Sequence, residues 1–73
     1  METGEKIQLL AHTIEGDPAE LKPDTELDTL GYWDSLSKLS ILAMFTTRFD
    51  RDVGVDTVRK FRTVNDILAE MHE

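Results

Sequence analysis

Apolar residues recur along this chain at helical spacing. Ile7, Leu10, Ala11 and Ile14 fall at i, i+3, i+4 and i+7, one face of a helix. Gly16 is expected to stop that helix, because glycine accepts the left-handed conformation past a helix end. Asp17-Pro18-Ala19-Glu20 reads as a new start: Asp17 can cap, Pro18 suits the first helical position, and Glu20 can reach back. Pro23 keeps that turn short. Residues 22–33 read as an ordered loop, with Leu21, Leu27 and Leu30 as its anchors into the core. Loops of this length in compact domains are often functional.

A second major helix is predicted over residues 34–49. Leu36, Leu39, Leu42, Phe45 and Phe49 form its expected inward stripe, widened by Ile41, Ala43 and Met44. Residues 50–54 break the pattern. Residues 55–61 predict a short helix with either Val55, Val58 and Phe61 or Val58 and Phe61 alone turned inward. Thr63-Val64-Asn65-Asp66 resembles a capping start, and Val64, Ile67, Leu68 and Met71 repeat the helical spacing. No stretch alternates like an amphipathic strand. The expectation is an all-α fold: a small four-helix bundle of three main helices and a short third one. Leu39, Leu42, Ile67 and Leu68 are expected to lie buried between helices.

Seventy-three residues make one domain, 1–73, with a small core. The absence of cysteine excludes disulfides and thiolate zinc sites. No apolar run approaches the roughly 20 residues that span a bilayer. The N-terminus lacks the basic start and apolar core of a signal peptide, so a cytoplasmic location is expected. The net charge of −7 is unevenly placed. Residues 1–35 hold nine acids against Lys6 and Lys22, whereas residues 36–73 hold six acids and six bases. An acidic half repels phosphate backbones and favours basic protein partners. A monomer that binds neither nucleic acid nor membrane is expected.

The candidate chemistry lies where the acidic loop meets the second helix, in Gly31-Tyr32-Trp33-Asp34-Ser35-Leu36. A serine there has its hydroxyl at the mouth of a helix. Unpaired N–H groups and partial positive charge would favour a phosphodiester at that place. Without a base or oxyanion site the hydroxyl is no nucleophile, and His12 and His72 are far away in sequence. Ser35 therefore reads as a modified residue or as part of an ordinary helix cap. Tyr32 and Trp33 read as loop anchors, Met44 as core filler, and His12 and His72 as solvent-facing. The run Arg59-Lys60-Phe61-Arg62 reads as a solvated basic face.

The chain resembles the acyl carrier protein family over nearly its full length. The resemblance rests on Asp24-Thr25-Glu26-Leu27, Leu30-Gly31, Asp34-Ser35-Leu36, Phe49-Asp50 and Phe61-Arg62-Thr63-Val64, in that order. Tyr32-Trp33 stands where the family usually has a small pair, which is similar to free-standing carriers with a Trp-Asp-Ser-Leu motif. The resemblance implies that Ser35 carries a 4′-phosphopantetheine arm derived from coenzyme A. It implies that Asp34 helps a phosphopantetheinyl transferase dock, and that Leu36 and the following helix meet acyl-loading and acyl-transfer enzymes. The chain would then be a carrier and not an enzyme, bearing an acyl thioester whose tether raises its effective concentration at each active site. Fatty-acid carriers have an acidic second helix; here Lys38 and Arg48 lie there, with Arg59, Lys60 and Arg62 nearby. Lys38, Arg48 and Arg59 are thus expected to select partners of acidic or mixed charge in a specialised biosynthetic pathway. Two rivals share this sequence: an aminoacyl carrier, D-alanyl or peptidyl, and a small helical interaction module with no prosthetic group.

Overall fold

Side-chain caps or capping boxes open α1 (Thr3–Ile14), α2 (Ser35–Phe49) and α4 (Val64–Glu70), whereas α3 (Gly54–Arg59) starts at Val53 without one. The computed structural model describes residues 2–72. The first helix, α1 (Thr3–Ile14), opens on a capping box between Glu2 and Glu5. It ends in a left-handed residue, but that residue is Glu15, with φ of 55°. Gly16 follows, its N–H donating to the Ala11 carbonyl at 2.8 Å. The expected left-handed role of Gly16 is thus taken by its neighbour. Gly16 is needed for space instead: a Cβ there would lie 2.7 Å from Tyr32 Cζ and 2.9 Å from the Tyr32 hydroxyl oxygen.

A 3-10 turn over Pro18–Glu20 follows, capped by Asp17, which accepts from the Ala19 N–H at 2.9 Å. Glu20 does not reach back; its carboxylate accepts from the Tyr32 hydroxyl at 3.2 Å. A second 3-10 turn spans Leu27–Thr29. Leu21, Leu27 and Leu30 are all buried, as the anchor reading requires. The loop is also fixed by backbone bonds to the segment before the last helix: Leu27 N–H to the Arg62 carbonyl, Val64 N–H to Thr25, and Asn65 N–H to Pro23, each 2.8–2.9 Å. These bonds flank an isolated antiparallel bridge between Glu26 and Thr63, and no strand forms among the described residues.

The long helix α2 (Ser35–Phe49) starts at the Asp34 cap and ends on Asp50, left-handed at φ 53°. Asp50 and Arg51 both donate backbone N–H groups to the Phe45 carbonyl, closing the C-terminus. Two short helices complete the fold, α3 (Gly54–Arg59) and α4 (Val64–Glu70). Thr63 and Asp66 form a capping box at α4. Arg51 then ties the chain end to the α2–α3 connection, pairing with the Glu70 carboxylate at 2.9 Å. The result is an all-helical bundle in which α2 packs against α1 and α3, and α1 also meets α4.

The inward face of α2 differs from the expected one. Its buried residues are Ser37, Ile41, Met44, Phe45 and Phe49. Leu36 is 72% exposed and Leu39 59% exposed, while Leu42 is half-buried. Ala43 is also exposed. At roughly 100° per residue, Leu36 and Leu39 point away from Ile41. The pattern misled because its true first inward position is a serine. Ser37 is buried because its hydroxyl donates to the Tyr32 carbonyl, which removes the penalty of burying it. Val55 is likewise 51% exposed, whereas Val58 and Phe61 are buried. In α4 the predicted face is correct: Val64, Ile67, Leu68 and Met71 are all buried. Phe45 lies at the centre, with ring centroids 5.9 Å from Phe49 and 6.4 Å from Phe61.

Candidate functional site

The site is built around the first turn of α2. Asp34 has extended backbone geometry and caps the helix, accepting from the Ser37 N–H at 2.9 Å. That bond holds its carboxyl below the ordinary aspartate value, so Asp34 is an anion at neutral pH. Ser35 is the first helical residue and is exposed. Among the described residues nothing hydrogen-bonds its hydroxyl. The turn below it is held by Asp34, by Ser37 and by the Trp33 N–H bonded to the Leu30 carbonyl at 3.2 Å. Leu36 and Leu39 do not hold it, since both face outward.

Tyr32 and Trp33 act as anchors. Both are half-buried against the core. The Tyr32 hydroxyl donates to Glu20 and accepts from the Asp17 N–H at 3.4 Å, which locks the loop across the end of α1. Burial and the Glu20 carboxylate push the Tyr32 phenol above its ordinary value, against the pull of the Asp17 N–H. Trp33 lies beneath the Lys38 ammonium, 5.9 Å from ring centroid to Nζ, and so restrains that side chain.

Ser35 stands between two depressions of opposite character. One, of about 280 Å³, lies where α1 ends and α2 begins; Glu15, Asp34, Leu36 and the Tyr32 ring line it. The other, of about 300 Å³, runs between α2 and α3, and Ser35 itself lines it. Its apolar walls are Leu39, Leu42, Val55 and Val58, and its charged residues are Lys38 and Arg59. The sequence pattern had assigned Leu39 to the core and left Val55 open; the outward turn of both is what makes this groove.

Of the residues singled out from sequence, Asp34, Ser35, Leu36 and Lys38 share the first turn of α2, and Arg59 joins Ser35 and Lys38 across the groove. Arg48 does not join them. It sits in the last turn of α2, about 20 Å along the helix axis from Ser35. Met44 is buried, and His12 and His72 are exposed; His72 Nε2 lies 3.1 Å from an Arg51 nitrogen. Among the described residues no helix is long and apolar enough to cross a membrane. No protein-family pattern, no characterised protein sequence and no solved structure matches this chain.

Proposed function

We propose that this chain is an acyl carrier protein whose Ser35 bears a 4′-phosphopantetheine arm. The observation that carries the reading is the exposed, unbonded hydroxyl of Ser35 on the first turn of α2, beside a groove that begins at the same residue. The group fits there: nothing covers the hydroxyl, and Lys38 lies one turn further on the same side of the helix. When attached, the arm supplies a thiol that holds the cargo as a thioester. The chain's own residues do the rest. Asp34 fixes the turn and offers a negative charge to a transferase. Lys38, held over Trp33, balances the charge of a phosphodiester. Leu36 and Leu39 give partner enzymes an apolar contact. The order of helices, with the long loop between the first two and Ser35 opening the second, is the arrangement that the acyl carrier resemblance implies.

A second reading is favoured by two observations. Asp34 has a structural role as the α2 cap, and Leu36, Leu39 and Val55 would also suit a helical interaction module without any arm. Incubation with coenzyme A and a broad-specificity phosphopantetheinyl transferase separates the two. A carrier gains the arm on Ser35 and gains none as Ser35→Ala; an interaction module gains none in either form.

A further inference from the structure

Lys38 is held by an aromatic ring and not by an acid. The ion pair found among the described residues is Arg51 with Glu70. The Asp34 carboxylate, at the same end of α2, accepts from the Ser37 N–H. The Lys38 ammonium stands over the Trp33 ring instead, 5.9 Å from its centroid, and both side chains are half-buried. That distance is at the outer edge of the roughly 6 Å within which a cation and a ring attract, so the contact is a weak one. It still confines a flexible four-carbon stem to one place.

That place adjoins Ser35. Lys38 follows Ser35 by three residues, a spacing that makes helix side chains neighbours, and the two line the same depression. Arg59 enters that depression from α3. The charged side chains lining the other depression, towards α1, are Glu15 and Asp34. A negative charge on the Ser35 oxygen is therefore drawn towards Lys38 and repelled from the α1 side. Phosphate oxygens also accept charge-assisted hydrogen bonds, which an indole face cannot match. An ammonium that rests weakly on a ring beside a new phosphate will leave the ring for the phosphate. The Trp33 contact shortens that move, because it stores the ammonium close to where it is needed.

We propose, on the basis of the carrier reading, that Lys38 is a positioning residue for the arm: its ammonium rests on Trp33 while Ser35 is bare, and exchanges that ring for the phosphodiester once Ser35 is modified. The exchange sets the root of the arm on the α3 side of α2. It also uncovers the Trp33 face, so that partner enzymes meet a different surface before and after attachment. The test is nuclear magnetic resonance of the protein before and after treatment with coenzyme A and a broad-specificity phosphopantetheinyl transferase, with intact mass confirming the addition. In the bare protein the Trp33 ring is expected to shift the Lys38 ε-methylene signals upfield. In the modified protein that shift is expected to be lost, and the Trp33 ring signals to move. High salt, which screens an exposed ion pair, is expected to restore the upfield shift. In Lys38→Gln, which keeps the length and removes the charge, modification is expected to leave the Trp33 signals in place, and the phosphorus signal is expected to differ from the parent's. Lys38→Arg is expected to behave as the parent does. Lys38 signals that are the same before and after modification, or Trp33 changes that persist in Lys38→Gln, would overturn this inference while leaving the carrier reading intact. Failure to add mass at Ser35 would overturn the carrier reading, and the inference with it.

Discussion

Tyr32 links three parts of the molecule through one side chain, and Gly16 is the residue that lets it. The ring lies where a Cβ on residue 16 would stand, and its hydroxyl joins Glu20 to the Asp17 backbone. Gly16→Ala is therefore expected to destabilise the fold by about 1–3 kcal/mol, the range for overpacking. The measurement is a denaturation midpoint together with Tyr32 ring signals. A variant as stable as the parent, with the ring undisturbed, would contradict this account of the loop. Asp66 makes a comparable link by polar bonds. Its carboxylate accepts from the Arg62 N–H at 2.9 Å and the Thr63 N–H at 3.1 Å, and these bonds hold it below its ordinary value. A depressed folded value means that the contribution is present above the unfolded carboxylate range, about 4, and is lost as pH falls below it. The stability gap between parent and Asp66→Asn should thus be full at neutral pH and close on acidification. A gap that stays constant through that window would show that the charge of Asp66 does not stabilise the cap.

Among the elements, α2 shows what a hydrophobic pattern can and cannot convey. Its boundaries were readable because Asp34 and Asp50 are strong punctuation, and α4 was readable face included because its apolar positions have no competitor. The face of α2 was not readable. Two overlapping apolar stripes run along it, and the correct one begins at a serine whose hydroxyl is satisfied by the Tyr32 carbonyl. A buried serine bonded to a distant backbone carbonyl leaves no mark in a hydrophobicity pattern. The backbone bonds between the long loop and residues 62–65 are similarly invisible, since any non-proline residue supplies an N–H and a carbonyl. The correction has a direct consequence. Ile41 is fully buried and Leu39 is not, so Ile41→Ala should cost about 2–5 kcal/mol and Leu39→Ala no more than about 0.5 kcal/mol. Thermal or chemical denaturation of the two variants checks it; equal losses would restore the original stripe.

For the molecule as a whole, the division of charge and the division of structure coincide at Ser35. The acidic half comprises α1 and the long loop; the electrically balanced half comprises nearly all of α2 together with α3 and α4. Ser35 sits at the seam, with Glu15 and Asp34 on one side and Lys38 and Arg59 on the other. The position of the serine at a helix mouth was legible from Asp34-Ser35-Leu36. The groove was not, because Leu39 and Val55 carry the same apolar character as core residues and only the packing of α2 on α3 shows which way they face. Everything functional in this account depends on Ser35 accepting an arm. The direct measurement is the intact mass of the folded protein after incubation with coenzyme A and a broad-specificity phosphopantetheinyl transferase, followed by peptide mapping. The account predicts a gain of one phosphopantetheine, located on Ser35 and absent from a folded Ser35→Ala variant. An unchanged mass on folded protein, or an adduct on another residue, would contradict it.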